Sequence, residues 1–309
     1  MMKKVSVSTP ASTANLGAGF DCLGLALNLR NIVELWDTGR GSGLEIDIEG
    51  EGEDLLPTDD SNLVYRAAER VFARLGKRPS GLLRLHAVNG IPLGSGMGSS
   101  AATIVGGLVA ANALVADQRG GLARDEILRL AYEMEGHPDN AAAALYGGLT
   151  LVSASGDELM ARAIAVPPMR VVIVLPEMHL STAEARAALP TQVPLADAVY
   201  NLGHALFTVQ ALAGGDEALL SWAVGDRLHQ PYRQRLIPGY ATVVAEARKA
   251  GATAVALSGA GPSLLAFAAA KHDQIAAAMQ AGFLVNGLKS RAFVVPVDRQ
   301  GVQVSVVQG

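Results

Sequence analysis

Three glycines at alternate positions, Gly94, Gly96 and Gly98, stand directly before an alanine-rich stretch with the composition of a helix. Glycine permits tight turns that point several backbone N–H groups to one side, and a helix N-terminus adds the positive end of its dipole. Such a turn suits a di- or triphosphate, and the two serines that follow could reach a phosphate or its magnesium ion. No Gly-Lys-Ser/Thr follows, so this is not a Walker A loop. The spacing predicts an anion-binding loop.

The same stretch contains a variant of the dinucleotide fingerprint, Gly96-x-Gly98-x-x-Ala101, with Asp117 at a suitable distance for a ribose contact. That fingerprint needs a strand running directly into the turn, whereas the strand expected to end near Val88 is separated from the glycines by several residues. An NAD-dependent oxidoreductase is therefore the weaker interpretation.

A second segment, residues 133–140, places acids at the end of a helix and at a turn that can cap the next helix. Capping alone would explain these residues in isolation. Beside a phosphate loop, Glu133 or Glu135 could supply the carboxylate that a magnesium–nucleotide complex usually needs, and Asp139 could orient a hydroxyl group.

Two further glycine-containing turns lie far apart in the chain, at residues 13–21 and 257–263. Each could serve as an ordinary turn, but the Gly259-x-Gly261 pair would also allow the backbone to approach a ligand closely. Three such loops in one chain favour a shared site.

The composition predicts a compact folded protein, because 50% of its 309 residues are hydrophobic and only 17% are charged. A net charge of −4 offers no global basic field to a nucleic-acid backbone or an anionic membrane. The single cysteine, Cys22, allows neither an internal disulfide nor a cysteine-rich zinc site, which fits a reducing cytoplasm. We expect neither nucleic acid nor membrane among its partners.

Hydrophobic periodicity predicts a mixture of strands and helices along the whole chain. Period-two alternation predicts strands over 44–49 and 82–88, with another candidate at 32–36, and helical spacing predicts helices over 62–75 and 125–134. Later elements are helices at 195–212, 218–228, 240–250 and 273–281, and strands at 171–175, 254–257, 264–268 and 293–297.

Charges, Gly156 and a Pro-Pro pair between residues 154 and 168 predict a boundary between two domains. The expected division is an N-terminal nucleotide-binding domain, residues 1–155, and a C-terminal domain, residues 165–309, that completes the substrate site.

Taken together, the segments 10–21, 92–102 and 258–263 resemble the three signature motifs of the superfamily of galactokinase, homoserine kinase, mevalonate kinase and phosphomevalonate kinase. The resemblance spans the whole chain in the right order. The sequences PASTANLGAGFD, EGHPDN, QPYR and LIPG resemble the homoserine kinase family in particular. Departures are small: Met97 replaces the commoner leucine, and the Glu133/Glu135 pair leaves the magnesium ligand open.

The resemblance implies ATP-dependent phosphorylation of the side-chain hydroxyl of L-homoserine, a step in threonine biosynthesis, with Mg²⁺ held by Ser100 and Glu133. Residues implied in catalysis are Asp139, Asn140 and Arg186. Residues implied in substrate binding are Asn15, Asp21, Asn140, Thr182, Arg186 and Arg233. Residues implied in nucleotide binding are Asn62, Pro92, Leu93, Gly94, Ser95, Gly96, Met97, Gly98, Ser99, Ser100, Ala101, Ala102, Gly259 and Gly261.

The fold implied is α+β in two parts, an N-terminal domain like the second domain of ribosomal protein S5 and a C-terminal ferredoxin-like domain. The resemblance also implies a cytoplasmic homodimer. Two alternatives keep this fold: a sister small-molecule kinase acting on another alcohol, and a nucleotide sensor without catalytic activity.

Overall fold

The computed structural model describes residues 3–116, 120–156 and 158–308, and Asp117, considered above for a ribose contact, lies outside them. The first half of the chain contains β1 (Lys3–Ala14), β2 (Leu23–Asp37), β3 (Leu44–Gly50), α1 (Leu63–Leu75), β4 (Leu83–Asn89), α2 (Ser99–Val115), α3 (Arg124–Glu135), α4 (Asp139–Tyr146), β5 (Leu149–Ser155) and β6 (Glu158–Ile164). The second half contains β7 (Arg170–Pro176), α5 (Thr182–Ala187), α6 (Leu195–Gly214), α7 (Glu217–Ala223), α8 (Gln230–Arg233), a 3-10 turn (Gln234–Leu236), α9 (Tyr240–Lys249), β8 (Ala254–Leu257), β9 (Leu264–Phe267), α10 (His272–Leu284), β10 (Ser290–Pro296) and β11 (Gln303–Gln308).

The first sheet has seven strands in the order β11-β1-β2-β4-β3, with β5 paired to the start of β2 and β6 paired to β5. Strands β3 and β4 are parallel and are connected through α1. The apolar faces of α1 to α4 pack with the sheet into one core of small and branched side chains. The loop that precedes α2 is thereby held above one end of this sheet.

Helix α2 lies at the centre of this core and carries the uncharged stretch that follows the glycine loop. Gly107 explains how closely it packs, because a Cβ there would lie 2.6 Å from the carbonyl oxygen of Val64 on α1. The apolar character of α2 therefore reflects burial inside the protein. None of the helices in the described ranges is long and apolar enough to cross a membrane.

The second sheet is antiparallel, with the order β10-β7-β9-β8. In chain order its strands are arranged 4-1-3-2, and helices connect the first strand to the second and the third to the fourth, which is the ferredoxin-like arrangement. Helices α9 and α10 pack on one face. The other face joins α6, α7 and part of β2 in a core shared by both halves of the chain. The α+β class expected from the sequence is confirmed.

Two strands differ from the sequence-based expectation. Strand β6 lies where a boundary segment is predicted, and it pairs with β5 as a hairpin. The sequence does not predict this strand, because the charged residues within it, Glu158 and Arg162, obscure its weak period-two alternation. Strand β11 returns to the first sheet and pairs with β1. The predicted helix over 218–228 ends at Ala223, before Gly225. The first sheet therefore contains β6 and also β11, which comes from the end of the chain. The division between two domains at residues 155–165 stays a prediction.

Candidate active site

A cavity of about 320 Å³ opens where the loops of the two sheets meet. This volume is within the range of small-molecule sites. Its lining combines all three glycine loops with the acidic segment and with α5. The lining residues are Asn15, Asp21, Gly94–Gly96, Gly98–Ser100, Glu135, His137, Asp139, Asn140, His179–Thr182, Arg186, Arg233 and Gly259–Gly261. Segments that are distant in the sequence therefore share one site.

The glycine loop has the conformation that its spacing predicts. Gly94, Gly96 and Gly98 all have positive φ values, 58°, 74° and 67°, and Gly98 caps the N-terminus of α2. Among the described residues, no acceptor is found for the backbone N–H groups of Gly98, Ser99 and Ser100. Free N–H groups at the positive end of a long helix form a site for an anion.

Contacts with the other two loops explain why glycine is needed in this turn. A Cβ at Gly96 would lie 2.4 Å from the carbonyl oxygen of Ser258, and one at Gly98 would lie 2.2 Å from Oγ of Ser12. The Ser258 hydroxyl contacts Oγ1 of Thr13 at 2.9 Å and the carbonyl oxygen of Gly96 at 2.7 Å. The three loops are thus packed backbone to backbone.

The structure separates the two acids that the sequence left open as magnesium ligands. Glu135 lines the cavity, and its carboxylate accepts a hydrogen bond from the Ser100 hydroxyl. Glu133 is exposed and lies outside the cavity lining. Residues two apart on a helix point about 200° away from each other, so only one of them can face the glycine loop. The geometry therefore favours Glu135 over Glu133, and the choice of magnesium ligand stays a prediction.

His137, which the sequence analysis did not single out, lies between two acids. Its Nε2 is 3.5 Å from Glu135 and its Nδ1 is 3.4 Å from Asp139. Burial alone would lower the pKa of His137, but the hydrogen bond to Asp139 and the charges of both acids raise it above its ordinary value. Its position in the EGHPDN segment is the signal that could have found it.

Asp139 and Asn140 begin α4 and face the cavity. Asp139 is 2% exposed, and its carboxylate accepts hydrogen bonds from the backbone N–H of Asn140 at 2.8 Å and from Nδ2 of Asn140 at 3.3 Å. Oδ1 of Asn140 accepts a hydrogen bond from the Ser12 hydroxyl at 3.0 Å. Asp139 therefore orients the Asn140 amide, which is the more accessible of the two.

The first loop brings a carboxylate and an amide into the cavity. Asn15 and Asp21 both have positive φ, 71° and 55°, a conformation that Asn and Asp tolerate better than most residues. Asn15 donates from Nδ2 to the carbonyl oxygen of Gly259 at 2.8 Å and accepts from the N–H of Asp21 at 3.0 Å. The Asp21 carboxylate forms a two-point ion pair with Arg186 on α5, at 2.8 and 3.0 Å.

Arg233 is the unusual charge of the site, because it is 1% exposed. Its guanidinium donates to the carbonyl oxygens of Ala185 and Gly259, and no carboxylate among the described residues forms an ion pair with it. Burial lowers the pKa of Arg233, and the nearby charge of Arg186 lowers it further. A buried cation without a carboxylate partner is stabilised when an anion binds beside it.

Residues expected to bind nucleotide fall into two groups. Asn62 and Leu93 line a second, adjoining cavity of about 270 Å³ that shares Gly94, Ser99 and Ser100 with the first. The Asn62 side chain is already engaged, since it caps α1 through the N–H of Val64 and donates to Pro57. Pro92, Met97, Ala101 and Ala102 are buried outside the lining of the first cavity. Thr182 lies exposed at the rim.

Comparisons with known proteins identify the family of this chain. Residues 62–148 match the model of the GHMP kinases N terminal domain, and residues 208–284 match that of the GHMP kinases C terminal. The homoserine kinase of Moorella thermoacetica is 45% identical over 92% of this chain and 94% of its own length. That of Symbiobacterium thermophilum is 48% identical over 97% and 94%.

A crystal structure of homoserine kinase from Cytophaga hutchinsonii has a TM-score of 0.86 and 33% identity, covering 98% of this chain and 97% of its own. The alternatives of a sister kinase, a nucleotide sensor and a dinucleotide-dependent oxidoreductase are not favoured by these relatives. The chain belongs to the GHMP kinase family and, within it, to the homoserine kinases.

Proposed function

We propose that this chain transfers the γ-phosphoryl group of ATP to the side-chain hydroxyl of L-homoserine. One observation carries this proposal: the buried cation Arg233, for which the described residues offer no ion-paired carboxylate, and the carboxylate of Asp21 share a cavity with the glycine loop. An amino acid needs a cation for its carboxylate and an anion for its ammonium group. A phosphate donor needs the free N–H groups of the loop.

The substrate is placed in this proposal by charge. The guanidinium groups of Arg233 and Arg186, together with Thr182 at the rim, hold the carboxylate, for which the planar fork of arginine is suited. Asp21 and Asn15 hold the ammonium group. The hydroxyl group then extends toward Asn140. This residue lies between the glycine loop and the loop of residues 13–21, which we call the substrate loop because it carries Asn15 and Asp21.

Transfer requires positioning and charge neutralisation more than a strong base. The homoserine oxygen attacks the γ-phosphorus as the bond to the β-phosphate oxygen breaks, so that ADP leaves with the bonding electron pair and the hydroxyl proton passes to solvent water. Asn140 orients that hydroxyl, and Asp139 orients Asn140. No lysine lines the described cavity, so the positive charge comes from arginines and backbone N–H groups.

The residues present fit a magnesium ion. Ser100 and Glu135 contribute a hydroxyl and a carboxylate at the N-terminus of α2, and Mg²⁺ is bound by oxygen ligands, usually one or two carboxylates with the substrate phosphates. A bound ion would neutralise phosphate charge. We place the reaction in the cytoplasm, which supplies ATP.

We further propose that the chain forms a homodimer through α6. Leu195, Val199, Leu202 and Leu206 are 80, 59, 67 and 72% exposed and follow the 4-3-4 spacing of a helix–helix seam. Residues 198–214 contain no Asp, Glu, Lys or Arg. Gly203, which has no side chain, lies beside Leu202. If the α6 helices of two copies pack antiparallel across a two-fold axis, Leu202 of each copy can pack against Gly203 of the other.

The activity itself is tested by measuring ADP release with Mg-ATP and a panel of acceptors: L-homoserine, L-threonine, L-serine, galactose and mevalonate. We expect turnover with L-homoserine at least about 100-fold above each other acceptor, because a buried polar site rejects molecules that leave its groups unpaired. Turnover with galactose or mevalonate instead would contradict the assigned carboxylate clamp.

Arg233→Lys should raise KM for L-homoserine by about 10- to 100-fold, because lysine keeps the charge but loses the planar fork. KM for ATP should stay within about twofold. Steady-state kinetics with each substrate varied in turn check this, and Arg235→Lys at an exposed neighbouring position serves as the control. An equal rise in both KM values would remove Arg233 from the carboxylate site.

Glu135→Gln should raise the Mg²⁺ concentration needed for half-maximal turnover by about tenfold, because a neutral amide is a weaker ligand for a hard cation. Glu133→Gln, two residues earlier on the same helix, should leave it unchanged. A magnesium titration of ADP release compares the two variants. If Glu133→Gln raised the required Mg²⁺ concentration and Glu135→Gln did not, the ligand would be Glu133 instead.

Leu202→Glu should shift the protein from dimer to monomer, because it places one charge from each copy at the centre of the seam. Leu284→Glu provides the control, since Leu284 is also exposed, by 63%, but lies on α10. Sedimentation equilibrium at several concentrations measures the mass. A wild-type monomer at all concentrations, or a dimer that survives in Leu202→Glu, would exclude this seam.

A further inference from the structure

His229 is a fully buried histidine that connects two parts of the substrate site. Its Nε2 lies 2.8 Å from the carbonyl oxygen of Gly17, in the loop that carries Asn15 and Asp21. Its Nδ1 lies 3.4 Å from a terminal nitrogen of the Arg233 guanidinium. The imidazole therefore contacts both the substrate loop and the buried cation while staying outside the cavity lining.

Asp226 holds this histidine in place. Its side chain is fully buried and accepts backbone hydrogen bonds from Leu228, His229 and Gln230 at 2.9, 3.1 and 2.6 Å. It also accepts from Nδ2 of Asn201 on α6 at 2.7 Å. Four N–H donors on one carboxylate fix the start of α8, from which Arg233 projects.

The partners of the ring determine its tautomer. A carbonyl oxygen can only accept, so the nitrogen facing Gly17 must carry the proton, and a guanidinium can only donate, so the nitrogen facing Arg233 must accept. Burial lowers the pKa of His229, which opposes a second proton on the ring, although the charge of Asp226 acts the other way. The neutral Nε2–H form satisfies both contacts.

Phe20 completes the arrangement from the other side. Its ring stacks on His229 with centroids 5.3 Å apart, and the guanidinium carbons of Arg233 and Arg186 lie 5.1 and 5.6 Å from its centroid. One ring thus packs against the histidine and both cations. Rotation of the imidazole would disturb its stacking on Phe20 and its contact with Arg233, so the ring supports the orientation of Arg233.

We propose that His229 is a positioning residue, which as the neutral Nε2–H tautomer holds the Gly17 carbonyl and orients Arg233 toward the substrate carboxylate. This inference rests on the proposed function for its substrate, since Arg233 must bind the carboxylate of homoserine. His229 itself touches no reacting atom.

The kinetic test uses His229→Gln. The glutamine amide nitrogen can take the place of Nε2 and still donate to Gly17, but the acceptor at the Nδ1 position, which faces Arg233, is lost. We expect KM for L-homoserine to rise by about tenfold, because one hydrogen bond to a charged group is lost. KM for ATP should stay within about twofold of the wild-type value. In the Arg233→Ala background the same substitution should change KM for L-homoserine by less than about twofold.

Two further variants serve as comparisons. His229→Asn keeps an acceptor close to the Nδ1 position, and it should retain KM for L-homoserine better than His229→Gln does. His272→Gln is the matched control, because His272 also faces a backbone carbonyl, that of Arg170, but lies outside the cavity. It should change neither KM.

The outcomes separate a positioning role from a structural one. Equal rises in both KM values, or an undiminished effect of His229→Gln in the Arg233→Ala background, would overturn the proposal. Wild-type protein that fails to phosphorylate L-homoserine would contradict the proposed function instead.

A measurement on wild-type protein keeps the inference testable if the variants do not fold, which thermal denaturation followed by circular dichroism would reveal. Long-range ¹H–¹⁵N correlation spectra at pH 7 report the histidine tautomer. A neutral Nε2–H ring at His229 supports the proposal. An Nδ1–H ring or an imidazolium contradicts it, whatever the activity.

Discussion

The contact between the Ser258 hydroxyl and the carbonyl oxygen of Gly96 is the interaction on which the site depends, because it joins a loop of the second sheet to the glycine loop of the first. Gly259 extends this contact by donating to Ala14 and accepting from Asn15. Side chains at Gly96 or Gly98 would collide with neighbouring loops. The anion site, the acidic segment and the arginines lie in one cavity because these backbones meet so closely.

The charges of the cavity are separated along its length. Arg186 and Arg233 lie with Asp21 around the first loop, whereas Glu135 faces Ser100 at the start of α2. A zwitterionic substrate suits the first group, and a metal–phosphate complex suits the second. Asn140 lies between them, where a hydroxyl group and a phosphoryl group would have to meet.

Helix α6 links the site to the surface through its two faces. On its buried face, Asn201 donates to the carbonyl oxygen of Ala18 and to Asp226, and thereby supports the substrate loop. Its other face is exposed and apolar. A partner on the outer face would therefore pack against the same helix that supports the loop of Asn15 and Asp21.

The sequence by itself predicts the three glycine loops and the strands and helices with clear periodicity, because these depend on local backbone preference and on the spacing of apolar residues. It implies the α+β class only through the resemblance of its motifs to a kinase superfamily. It could not choose between Glu133 and Glu135, since that choice depends on which side of α3 faces the glycine loop. It also could not distinguish Arg186, which pairs with Asp21, from Arg233, which is buried without a carboxylate. The tertiary structure shows which acid faces the glycine loop, which arginine pairs with Asp21, and where His137 and His229 lie, because burial and charge pairing depend on contacts between segments that are distant in the chain.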